Sequence, residues 1–131
     1  MNILLVDHEL YRLESLERGL KIMGYRVFAA LNVKEAITRL GSDHTPIDLI
    51  ITDCATPLAV NSEIIQTIDR RYDSIPVLMM TTSKKANHES HPLWPWCEEI
   101  IEKPFELDEL VRVIENVGKK GPINERAVNS T

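Results

Sequence analysis

The sequence predicts an α/β fold in which parallel strands form one sheet and crossover helices cover it. Short apolar runs alternate with segments of helical periodicity, the pattern of parallel strands joined through helices. Polar residues fall where those runs end, and an open parallel sheet binds its ligands at the carboxyl ends of its strands. At 131 residues the chain has the length of one domain with a single core.

The first run, Ile3 to Val6, ends on Asp7. Leu10, Leu13, Leu16, Leu20 and Met23 then recur at helical spacing, and Gly24 sits where that helix must stop. A second run spans Tyr25 to Ala30. Asn32, with Glu35 three residues later, reads as a capping box opening a short helix through Leu40. The third run, Ile47 to Thr52, ends on Asp53, and Ile64, Ile65, Ile68 and Tyr72 mark the helix after it. The fourth, Ile75 to Met80, ends on Thr81. In the next segment Pro92 and Pro95 forbid a helix of normal length, so any helix there should end near His91. A weaker run around Ile100 and Ile101 leads to Lys103, and Leu107, Leu110, Val111 and Ile114 form the last helical stripe. The polar stretch after Gly118 has no apolar period and is expected to be a disordered end or a linker cut short. The expected division is a domain over 1–118 and a polar tail over 119–131.

A formal net charge of -5 supplies no basic field, which argues against nucleic acid and against an anionic membrane surface as partners. The N-terminal run follows no basic segment and is too short for a signal peptide or a membrane span, so a cytoplasmic protein is expected. Cys54 and Cys97 lack paired spacing and read as reduced thiols, Cys54 as a small buried filler. The spacing of His88, His91 and Cys97 matches no familiar metal cage. Trp94 and Trp96 either plug the gap left by a shortened helix or build a docking surface.

Four strand-end residues carry the functional argument. Asp7, Asp53, Thr81 and Lys103 should bring two carboxylates, a hydroxyl and an ammonium to one pocket. Singly, each has an ordinary structural reading, as a cap, a turn former or a solvated charge. Four such residues at the ends of parallel strands are harder to explain that way.

The chain resembles the receiver domains of two-component response regulators. The resemblance rests on Ile3-Leu4-Leu5-Val6-Asp7, on Asp48-Leu49-Ile50-Ile51-Thr52-Asp53 followed by Pro57, on Pro76-Val77-Leu78-Met79-Met80-Thr81, and on Lys103-Pro104-Phe105. It implies a flavodoxin-like doubly wound sheet in the order 2-1-3-4-5 with helices on both faces. It further implies that Asp53 accepts a phosphoryl group from a histidine kinase or phosphotransfer protein. Asp7, Asp53 and the backbone carbonyl of Ala55 would hold magnesium, Thr81 would bond the phosphoryl oxygen, Lys103 would pair with the site, and Pro104 would follow a cis peptide. A phosphorylation-controlled switch is therefore expected, one that labels itself from a phosphodonor and slowly loses the group to water. Its downstream effector or linked output domain would lie outside these residues, and a homodimer is compatible with that role.

Three positions depart from the family pattern. His8 stands where a second acid is usual, and an imidazole suits magnesium poorly, which moves the expected metal preference toward manganese. Asn61 replaces a usual glycine, and Ile100 replaces the aromatic residue that usually accompanies the threonine's movement. The alternative reading is a pseudo-receiver, an interaction module whose metal site His8 has spoiled. An aspartate-nucleophile phosphatase would want an acid at Ala55, and a flavodoxin-like cofactor protein would want glycine after the first strand.

Overall fold

The computed structural model describes residues 1–40, 46–54, 75–83, 87–91, 93–119 and 121–129. Strands β1 (Asn2–Val6), β2 (Arg26–Ala30), β3 (Leu49–Asp53), β4 (Val77–Thr81) and β5 (Cys97–Glu102) pair in parallel in the order β2-β1-β3-β4-β5. This is the flavodoxin-like order expected, and each of the five apolar runs supplies one strand.

The runs are continuous rather than alternating because both faces of the sheet are covered. Ile3, Leu5, Leu49, Ile51, Leu78 and Met80 point to one face, where they meet Leu13 and Leu20 of α1 (Leu10–Ile22) and Leu110, Val111 and Ile114 of α3 (Leu107–Asn116). Leu4, Val6, Ile50, Val77 and Met79 point to the other, beneath Ala36 of α2 (Val33–Leu40) and Leu93. Burying each such aliphatic side chain is worth about 1.5–3 kcal/mol relative to leaving it in water. This common burial holds the strand ends, and so the site, in place.

Helix boundaries follow local chemistry. Gly24 adopts φ 101°, its N–H donates to Lys21 O, and the Tyr25 N–H donates to Leu20 O. These are the two bonds of a Schellman stop, at the glycine the sequence marks. At the start of α2, Asn32 Oδ1 accepts from the Glu35 N–H at 3.0 Å, while Glu35 Oε2 accepts from the Leu31 N–H at 2.6 Å. The capping box thus closes one residue further back than its simplest form. Gly19 lets α1 pass close to α3, since a Cβ there would lie 2.9 Å from Leu107 Cδ2.

The segment before β5 and the end of the chain are less regular. The helix expected around Ile64 to Tyr72 lies outside the described residues, as do Ala55, Pro57 and Asn61. Residues 87–91 form turns, and a single 3-10 turn, Trp94–Trp96, precedes β5. Both tryptophans are half-buried and pack against the core. The expectation of an unstructured end needs correction, because part of the stretch after Gly118 forms α4 (Ile123–Asn129). Ile123 packs against the core beside the 3-10 turn, and Arg126 Nη2 donates to the carbonyl of Glu98, which also accepts the Gly118 N–H on Oε1 at 2.7 Å. Glu98 lies where the β4–β5 register slips, so its carbonyl is turned from the ladder toward that helix.

Candidate functional site

The register puts the ends of β1 and β3 side by side, with Val6 opposite Thr52. The next residues, Asp7 and Asp53, are 0% and 2% exposed, and each carboxylate must find partners within the protein. Lys103 Nζ lies 2.9 Å from Asp53 Oδ1 and reaches it from the turn after β5. The Lys103–Pro104 peptide is cis, as the family resemblance implies, and Lys103 N donates to Thr81 O at 2.7 Å.

Thr81 is buried at the end of β4, with its Oγ1 accepting from the Ser83 N–H at 3.1 Å. Next to Asp53, the Cys54 thiol is pushed up to about 11, by burial first and then by the Asp53 charge. His88 Nε2 lies 3.0 Å from Ser83 O and its Nδ1 3.9 Å from Cys54 Sγ. Cys54 is therefore more than the filler that the sequence suggests, because it links the β3 end to the loop after β4.

His8 is half exposed, yet its Nδ1 lies 2.7 Å from Asp53 Oδ2 and 3.9 Å from Asp7 Oδ1. Asp7, His8 and Asp53 offer ligand atoms all within 4.8 Å of one another. The two carboxylates are the oxygen donors that a divalent cation takes, and His8 adds a nitrogen donor that suits magnesium poorly.

Sequence reasoning missed Arg12. Its Nε lies 2.5 Å from Asp7 Oδ2, its Nη2 3.0 Å from Asp7 Oδ1 and 3.3 Å from Asp53 Oδ2, and its Nη1 2.8 Å from Glu9 Oε2. The hydrogen bond to Asp7 holds this guanidinium more firmly protonated than usual, with the nearby acids adding to the effect against desolvation. Arg12 belongs to the first turn of α1, where helical side chains lean back toward the N-terminus and so over the strand ends. A cation at the positive end of a helix runs against the dipole, and this is the signal that could have exposed it.

Strand order and pocket together define a flavodoxin-like α/β domain built around two buried acids and an ammonium. The chain belongs to the response regulator receiver domain family, whose model matches residues 3–115. It is 30% identical over 111 residues to the response regulator MprA of Mycobacterium avium, a match covering 85% of this chain and 48% of that protein. The chain spans about half the length of the curated relatives it matches. Chemotaxis protein CheY4 of Vibrio cholerae superposes with a TM-score of 0.74 at 23% identity, over 88% of this chain and 97% of that one. Response regulator TrrA of Thermotoga maritima, solved in complex with Mg(2+)-BeF, gives 0.68 at 25% identity, over 88% and 96%. No helix among the described residues is long and apolar enough to cross a membrane.

Proposed function

We propose that the chain is a phosphorylation-controlled switch in which Asp53 accepts a phosphoryl group from a histidine kinase or phosphotransfer protein. The observation that carries this reading is the buried Asp53 carboxylate at the end of β3 with the Lys103 ammonium 2.9 Å away. A carboxylate oxygen attacks phosphorus in line as the bond to the donor's nitrogen or oxygen breaks, which leaves an acyl phosphate on Asp53. The Lys103 ammonium, already desolvated, stabilises charge on the phosphoryl oxygens without reorganising. Thr81 supplies a hydroxyl from the neighbouring strand end, and Asp7 holds its carboxylate beside the nucleophile.

When bound by Asp7, Asp53 and the carbonyl of Ala55, magnesium or manganese would neutralise the transferring group's oxygens. Loss of the phosphoryl group to water resets the switch. The signal passes to an output domain or separate effector, a division of labour supported by the greater length of the curated relatives.

The test is intact mass after incubation with acetyl phosphate and magnesium. One added phosphoryl group is expected on the wild type and none on Asp53→Asn. Equal labelling of the two proteins would sink the assignment. No labelling of the wild type at any concentration of magnesium or manganese would leave the fold as an interaction module.

A further inference from the structure

We propose that Arg12 is the resident counter-ion of the Asp7–Asp53 pair, and that a divalent cation reaches those carboxylates only by displacing its guanidinium. This deepens the function proposed above and rests on Asp7 and Asp53 being the acids that hold the metal. Arg12 Nη2 is within 3.3 Å of both carboxylates, and Nε and Nη2 together take both oxygens of Asp7. Lys103 reaches Asp53, and the planar guanidinium fork adds a cation that touches both of these almost fully buried like charges. Magnesium needs the same oxygen lone pairs in tight octahedral geometry, so it and Arg12 exclude one another.

The displaced side chain has somewhere to go. Glu9, half exposed at the rim, already accepts from Nη1 at 2.8 Å. Arg12 also lines a groove of about 310 Å³ with Ser15, Leu16, Lys103, Pro104 and Phe105. The exchange therefore gives up two buried partners and keeps the one at the surface, and it sets an internal threshold for metal loading. If Arg12 occupies the acids about nine-tenths of the time, apparent metal affinity falls about tenfold below that of the open site.

The experiment is a calorimetric titration of magnesium and manganese, without phosphodonor, on wild type, Arg12→Gln, Arg12→Lys and the double variant Arg12→Gln/Asp53→Asn. Arg12→Gln should bind about tenfold more tightly than wild type. Arg12→Lys should fall between, because an ammonium cannot fork across both acids, and the double variant should lose the gain. Unchanged or weaker binding by Arg12→Gln, in a protein that circular dichroism shows folded, would overturn the proposal. In the wild type, the Arg12 Nε–H resonance should shift as metal saturates. A resonance unmoved at saturation would also overturn it, whether or not the variants fold. Metal affinity is read here by heat and resonance, and phosphorylation by mass. A gain on Arg12→Gln in a chain that never takes phosphate therefore leaves the inference standing and removes the phosphorylation reading, while labelling without the gain does the reverse.

Discussion

His8 shows how one side chain can hold a site's geometry while changing its chemistry. Its Nδ1 is 2.7 Å from Asp53 Oδ2, so the ring faces the pocket although half of it remains in solvent. An aspartate there would restore a third anionic oxygen donor, and magnesium favours oxygen over imidazole nitrogen. His8→Asp should therefore tighten magnesium binding by roughly tenfold, the order of change expected when a metal site's surroundings are altered. Titration of the two proteins with magnesium checks this, and equal affinities would show that the imidazole does not limit the site. Cys54 illustrates the opposite case, a reactive residue type made inert. Burial, and then the neighbouring Asp53 charge, hold its thiol protonated and so unreactive at this strand end.

Elements are fixed by a few backbone decisions that the sequence states plainly. The stop of α1 depends on Gly24 at φ 101°, a region where a Cβ is strained although no heavy atom lies within 4 Å of its position. Gly24→Ala should cost about 1 kcal/mol through this strain alone, without disturbing the site. Urea unfolding measures the loss, and an unchanged midpoint would mean that the turn relaxes. The Gly19 contact with Leu107 had no such marker. A glycine inside a helical stripe reads only as a weakness, and its value becomes visible once α3 is known to cross there.

At the scale of the whole molecule, the face opposite α1 and α3 is covered, among the described residues, by α2 and by pieces shorter than it. Those pieces are the 3-10 turn, with the Trp94 and Trp96 rings, and α4 with Ile123. His91 sits in this cover with its Nδ1 accepting from the Leu93 N–H at 3.1 Å, while its Nε2 is buried without a partner among the described residues. Burial, and then the nearby His88, lower its pKa below 6.5. Between that ordinary value and the lowered one the unfolded chain binds a proton that the native protein refuses, so stability falls as pH falls through the window. Above the window the contribution is fully retained. His91→Asn keeps an acceptor for Leu93 and removes the titration, so it should lose less stability than wild type between about pH 7.5 and 5.5. Urea midpoints at both pH values decide the matter, and parallel losses would assign the acid sensitivity elsewhere.

Hydrophobic pattern determined the strands by itself. A parallel strand buried on both faces must be a continuous apolar run, and Ile3 to Val6, Ile47 to Thr52 and Ile75 to Met80 could hardly be read otherwise. The strand ends then placed Asp7, Asp53 and Lys103 within reach of one another, since parallel strands all deliver their last residues to one edge. The order 2-1-3-4-5 came from family resemblance, because alternating strands and helices are compatible with other orders. Tertiary structure alone decided what long side chains do across elements. Arg12 looks from its spacing like a surface residue of α1, and the short stretch around Ile123 has too few apolar positions to show a period. Each becomes meaningful through a partner distant in sequence, Asp53 for Arg12 and the Glu98 carbonyl for Arg126. A local pattern records which face of an element is buried, while contacts of this kind depend on how the elements are finally set against one another.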